Sequence, residues 1–399
     1  MKIGIDCISI DPLYKGGVNT YIFGLLDGFS SCMDSGVEFT IFCTSHNKAS
    51  FEKYTKYSGI TIITIDTYRT IYRKSVMLIP FVIGSSALWR AFNDFYISIV
   101  GIKKTIEDSC DLLYTATTTL KFYNLDIPTV LSMHDIQQYH YPDFFSKKEL
   151  RLRRLTFENS AKTATYIQAS SYFIKNDLLE HFVWLDPKQI VVIPEGVNLD
   201  EYENSLEDDI LEKYNLPNSF LFFPAQLWKH KNHITVLRAL KEIENDNKKI
   251  PMVMVGAKYS SSTEVLKFIK ENNMSYVHYL GKVSFVDLLC LYKKARFLIT
   301  AVLYESSSLP ILEAAASSTP IIASKTPPNV EMSRNLIINL FDPLDVKQCA
   351  NVIKENWEND GRLIYTQVVA NREAIQLYSW KNIALKYLNF FKERAVNVK

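Results

Sequence analysis

The chain has 399 residues, too many for one ordinary domain, so two domains are expected. Hydrophobic residues make up 47% and the formal net charge is +2, a globular composition without the basic excess that nucleic-acid binding calls for. Its 23 Tyr and 23 Phe are scattered along the chain and form no base-stacking code.

Residues 2–10 read as a strand and not as a signal peptide, because no basic region leads into an unbroken apolar core. Further short apolar runs at 38–45, 59–65, 111–117, 128–133, 165–169 and 189–193 alternate with helical patterns, which predicts a doubly wound parallel sheet. Between the first strand and its helix, Gly16-Gly17 lets backbone approach a ligand closely or simply makes a tight turn. No G-x-G-x-x-G fingerprint is present, so a nicotinamide cofactor gains no support.

Residues 69–104 combine Arg69, Arg73 and Lys74 with the apolar run 76–83 and with Trp89, Arg90, Phe92 and Phe95. With Pro80 and Gly84 inside, this is a poor membrane-spanning helix. It reads either as an interfacial segment on an anionic membrane, burying Leu78, Phe81 and Trp89, or as a helix covering the sheet. A second basic cluster, 147–154, lies on a helical pattern and reads as a solvated face or as a contact for lipid phosphates. His134-Asp135 ends a strand, and Ser170-Ser171 enters a helix over 172–181, where a serine caps it.

A polar, acidic stretch at 199–218 marks a domain change, after which strands restart at 220–224, 252–256, 277–280, 297–303, 320–323 and 336–340. The first is followed by Gln226, Lys229, His230, Lys231 and Asn232. The strand over 297–303 leads through Glu305 and the loop Ser306-Ser307-Ser308 to a helix opened by Leu309-Pro310 and carrying Glu313. Proline suits a helix's first turn, and amides around Ser307, Ser308 and Leu309 would face an anion with the positive end of the helix dipole. Glu305 is placed just beyond the carboxyl end of its strand, where open α/β sheets bind ligands. The six cysteines, Cys7, Cys32, Cys43, Cys110, Cys290 and Cys349, include no C-x-x-C pair and read as reduced core residues, as suits the cytosol.

The E-x7-E spacing of Glu305 and Glu313, followed by Thr319-Pro320, resembles the donor site of retaining GT-B glycosyltransferases of the family 4 type, also called glycosyl transferases group 1. The resemblance runs along nearly the whole chain and is strongest from Glu195 to Pro343. It implies an α/β fold of two Rossmann-like domains facing across a cleft. These are an acceptor domain over 1–195 with a returning helix at 381–399, and a nucleotide-sugar domain over 196–380. It also implies that Glu313 holds ribose hydroxyls, Glu305 the transferred sugar, and Lys231 with the loop amides the diphosphate. His134 would approach the sugar, and Gly16-Gly17 would lie near the donor phosphates. Two departures stand out. The serine loop replaces Gly-Phe-Gly, which matters wherever φ is positive. Gln226 replaces an arginine of the diphosphate clamp, leaving Lys229 or His230 to supply its charge.

The implied activity is retaining transfer of a hexose-type sugar from a nucleoside-diphosphate sugar to a hydroxyl of a glycan or lipid-linked acceptor, in bacterial surface polysaccharide assembly. No D-x-D triad occurs, so neither a metal nor any other cofactor is expected. The expected place is the cytoplasm, peripheral on the inner membrane face through 69–104. The competing readings are a non-catalytic sugar-nucleotide-binding scaffold and a GT-B epimerase or phosphorylase.

Overall fold

A computed structural model describes all residues except 12–15, 34–35, 67–70, 204–208, 360 and 396–399. The chain divides into two compact units, residues 1–196 with 380–399, and 197–379.

The first unit holds seven parallel strands: β1 (Lys2–Asp6), β2 (Glu38–Cys43), β3 (Ile60–Thr64), β4 (Leu112–Thr115), β5 (Thr129–Ser132), β6 (Tyr166–Ala169) and β7 (Ile190–Val192). Their order is β3-β2-β1-β4-β5-β6-β7. The second holds six: β8 (Leu221–Pro224), β9 (Met252–Val255), β10 (Val277–Gly281), β11 (Phe297–Thr300), β12 (Ile321–Ser324) and β13 (Asn339–Phe341), in the order β10-β9-β8-β11-β12-β13. Every strand pairing within the two sheets is parallel among the described residues, from β1 on β2 to β12 on β13. Central strands such as β9 (MVMV) and β11 (FLIT) are buried at every position, because helices cover both faces of a parallel sheet and leave no polar side. In each unit strand order reverses once, between β1 and β4 and between β8 and β11.

The strands are shorter than the apolar runs suggest. β1 stops at Asp6 although hydrophobic residues continue to Ile10, because Ile8 N–H turns back onto the Asp6 carboxylate. β13 starts at Asn339 and not near Leu336, which is itself buried against the helices of the second unit.

Two contacts seat the closing helix Trp380–Ala395 in the first unit. Gly24 and Gly28 of the helix Gly17–Ser30 leave room for Trp380: a Cβ on Gly24 would stand 2.1 Å from the indole nitrogen. Below it, the hydroxyls of Tyr21, Tyr114, Tyr387 and Ser132 meet in one buried network, with Tyr21 to Tyr114 at 2.8 Å and Tyr114 to Ser132 at 2.7 Å. Burying these groups is tolerable because each finds a partner.

Within the stretch 69–104, residues 71–104 fold as two packed helices, Ile71–Ile83 and Ser86–Ile99, and the start of a third. Trp89 corrects the expectation that it faces lipid: it is 8% exposed and points inward with Asn93, Tyr96 and Ile97, one face of its helix. Phe81 is half-buried beneath the Arg151 guanidinium. Arg69 and the side chain of Arg73 lie outside the described part. Ser171 caps the helix Tyr172–His181. No two cysteines are bridged among the described residues.

Candidate functional site

At the reversal point of the second sheet, two loops leave neighbouring strands and bring predicted residues together. The loop after β8 ends in a short 3₁₀ turn, Lys229–Lys231, closed by Asn232 in the left-handed region at φ 54°. Asparagine tolerates that conformation, and its side-chain amide donates to the Pro343 carbonyl at 2.9 Å. The loop after β11 is tied to this turn by Leu303 N–H donating to the His230 carbonyl at 2.8 Å. As a result Lys231 Nζ stands 3.1 Å from Glu305 Oε2, with the two side chains 22% and 9% exposed. The other carboxylate oxygen, Oε1, is buried and has no hydrogen-bond partner in the protein. A charged oxygen held this way is costly unless something fills the place opposite it.

The serine loop continues into the helix Leu309–Ala316, with Pro310 in its first turn. None of Ser306, Ser307 and Ser308 has positive φ, so the chain follows this path without glycine. Ser308 is wholly buried, its hydroxyl makes no cap bond, and no partner accepts or donates to it. One turn on, Glu313 receives a 2.6 Å hydrogen bond from Tyr292 Oη and a second from Tyr202. Burial pushes the Glu313 carboxyl above its usual range, and the two tyrosines partly offset this. Tyr202 and Tyr292 were not legible as site residues, since they approach Glu313 from separate helices.

Gln226, at the arginine position, accepts from Trp228 Nε1–H through Oε1 at 2.9 Å. That bond fixes which end of the amide is the acceptor and aims its NH₂ elsewhere. Trp228 stacks on Tyr259 at 3.9 Å. Beyond this pair a cavity of about 680 Å³ opens over residues 256–259 and 279–282, at the exits of β9 and β10. Gly256 takes φ 143°, and a Cβ there would lie 2.3 Å from the Ala225 carbonyl oxygen, so only glycine allows this approach. Lys229 is exposed and His230 half-buried. His233 stacks on Phe223 at 4.1 Å, and burial pushes its imidazole down to about 3.

In the first unit, His134 follows β5. Its Nε2–H donates to the Ala116 carbonyl at 2.8 Å, which leaves Nδ1 as the acceptor nitrogen of the neutral ring, 3.8 Å from Glu195. Burial lowers its pKa. Gly16 is the N-cap of the helix Gly17–Ser30 with an extended φ of −151°, and neither Gly16 nor Gly17 requires the left-handed region; Tyr14 and Lys15 beside them lie outside the described residues.

Two doubly wound parallel sheets, the second carrying a cation, carboxylates and a helix N-terminus at its reversal point, have the architecture of the GT-B fold. Comparison with known proteins makes this specific. The family model described as Glycosyltransferase Family 4 matches residues 15–201, and that described as Glycosyl transferases group 1 matches residues 207–369. The chain is 27% identical to the O-antigen chain mannosyltransferase RfbU of Salmonella typhimurium, over 79% of this chain and 80% of that one. It is 28% identical to the UDP-Gal:alpha-D-GlcNAc-diphosphoundecaprenol alpha-1,3-galactosyltransferase of Escherichia coli, over 40% of this chain and 42% of that one. The crystal structure of Anabaena HepE in complex with UDP and glucose superposes with a TM-score of 0.71 at 17% identity, covering 98% of this chain and 100% of that one. The chain belongs to the family 4 type of GT-B glycosyltransferases.

Proposed function

We propose that this glycosyltransferase moves a hexose-type sugar, with retained anomeric configuration and without a metal ion, from a nucleoside-diphosphate sugar to a hydroxyl of a glycan or lipid-linked acceptor in bacterial surface polysaccharide assembly. The observation that carries the reading is the Lys231–Glu305 pair, half-open and with Glu305 Oε1 unpartnered, beside the helix that bears Glu313. The complex of HepE with UDP and glucose and the names of the O-antigen and diphosphoundecaprenol relatives support a nucleotide-sugar donor and a surface-glycan acceptor.

In this reading Glu313, held by Tyr292 and Tyr202, accepts hydrogen bonds from the ribose hydroxyls. The cavity over residues 256–259 and 279–282 takes the base. Glu305 Oε1 accepts from a hydroxyl of the transferred sugar. As the bond to the anomeric carbon breaks, charge grows on the diphosphate. Lys231, the Ser307–Leu309 amides and the Gln226 amide then stabilise it in the departing state more than in the bound donor. The leaving phosphate takes the proton of the attacking hydroxyl, so no separate base is required. Lys231 charge and the absence of a D-x-D triad in the sequence support metal independence. The enzyme works in the cytoplasm, on the inner membrane face.

The test is incubation of purified protein with a panel of UDP-, GDP- and TDP-sugars and acceptor glycans, with and without EDTA, reading product linkage by NMR. An axial donor giving an axial product in EDTA is expected. An inverted product, or strict dependence on added metal, overturns those parts of the reading, and donor binding without turnover leaves a scaffold.

A further inference from the structure

The helix Ile71–Ile83 holds Leu78, Ile79, Val82 and Ile83 more than half exposed, at the i, i+1, i+4, i+5 spacing of one helical face. Lys74 and Ser75, exposed one turn earlier, begin the same stripe. Its partner helix Ser86–Ile99 leaves Phe95 and Ile99 66% and 68% exposed, again one turn apart. Aliphatic surface of this kind is ordinarily covered.

The other end of the stripe meets the second basic cluster. The Arg151 guanidinium lies 6.0 Å from the centre of the Phe81 ring, and a Cβ on Gly84 would stand 3.0 Å from Arg151 Nη2. Lys147, Lys148 and Arg154 are exposed on the same helix, Lys147–Thr163. The single acid in that stretch, Glu149, is turned back onto Ser146 in a capping box. Between Arg69 and Ile106 the sequence holds six basic residues and one acid, Asp94, which is bonded to Asn124. Apolar side chains are thus bracketed by cations, Lys74 at one end and the 147–151 cluster at the other.

We propose that this face is a lipid-contact surface for an anionic leaflet, with Leu78, Ile79, Val82 and Ile83 entering the acyl boundary and Lys74, Lys147, Lys148 and Arg151 meeting headgroup phosphates. Charge selects this occupant over a second copy of the chain, since a two-fold contact through the same patch would set these cations against themselves. No helix among the described residues is long and apolar enough to cross a membrane, so the contact lies in the interface. That the leaflet also presents the acceptor rests on the function proposed above; the surface itself does not.

The test is flotation of the purified chain with phosphatidylcholine vesicles and with vesicles half phosphatidylglycerol, at low and high salt. Binding is expected on the anionic vesicles and should be only partly lost to salt, because the charge contribution is screened and the aliphatic one is not. Leu78→Glu with Val82→Glu should remove the salt-resistant part. Lys147→Glu, Lys148→Glu and Arg151→Glu together should lower partitioning at least about tenfold. Both variants should keep the thermal shift given by UDP or GDP, which shows that they fold. Failure of the wild-type chain to bind anionic vesicles at low salt overturns the proposal. So does concentration-dependent dimerisation that Leu78→Glu with Val82→Glu abolishes. Flotation without sugar transfer would remove the function above and leave the surface; transfer without flotation would do the reverse.

Discussion

In the first unit, the reversal of strand order is occupied by Asp6, whose carboxylate oxygens are both taken, one by Ile8 N–H and the other by Lys121 at 2.7 Å. That pair is almost wholly buried. At the reversal point of the second sheet stands Glu305, in the loop after β11, with one oxygen paired to a partly open Lys231 and the other unpartnered. The two sheets share a strand order, yet one reversal point is sealed as structure and the other is left polar and unfinished. An ion pair with every lone pair satisfied is part of the fold, whereas a buried oxygen with none opposite it marks a place for a ligand.

The largest expected effect tests the sealed side. Lys121→Ala strands the Asp6 carboxylate and should cost about 3–5 kcal/mol of stability in urea unfolding. A loss below 1 kcal/mol, of order of magnitude for a surface pair, would dissolve the contrast. On the open side, Lys231→Ala should cost clearly less stability than Lys121→Ala, because that pair is the more exposed of the two, and should lower kcat about a hundredfold. Exposed Lys229→Ala should cost clearly less; equal losses would mean that Lys229 replaces the missing arginine.

Glu313→Ala should weaken nucleotide-sugar binding by about 1.5–3 kcal/mol in calorimetry, with the melting profile retained. An effect confined to acid conditions comes from His233, whose folded pKa of about 3 lies below the ordinary imidazole value of 6.5. The unfolded chain binds that proton first, so stability is full above pH 6.5 and falls as pH drops toward about 3, with a slope of at most about 1.4 kcal/mol per pH unit. His233→Phe keeps the stack on Phe223 and should flatten the stability profile between those values. The smallest change is a gain: Ser318 ends the helix Leu309–Ala316 at φ 59°, and Ser318→Gly should raise stability by about 1 kcal/mol.

Much of the fold was legible because parallel strands buried on both faces leave apolar runs, and all thirteen runs contain or overlap a strand. Glu305 and Lys231 were readable for a related reason: each follows such a run, and the two strands prove to be neighbours. What remained hidden depends on helical phase or on distant partners. Trp89 and Phe95 are equally aromatic in the sequence, but one turns inward and the other outward. Lys121 lies far along the chain from Asp6, and no spacing announces their pairing. Gln226 stood out only as a missing charge, while its bond to Trp228 gives the amide a fixed orientation.

The seat of Trp380 against Gly24 and Gly28 also governs when the first unit can be completed. Residues 1–196 leave the ribosome with the groove of the helix Gly17–Ser30 uncovered and Tyr21 lacking its Tyr387 partner. Residues 197–379 are continuous in sequence, and among the described residues their core clusters draw only on that stretch. The order of synthesis is therefore the reverse of the order of completion: of the two units, the one begun first is finished last, once the helix Trp380–Ala395 has emerged. During elongation it presents an apolar groove that invites chaperones or non-native contacts. Its long-range closure makes it the slower of the two to fold.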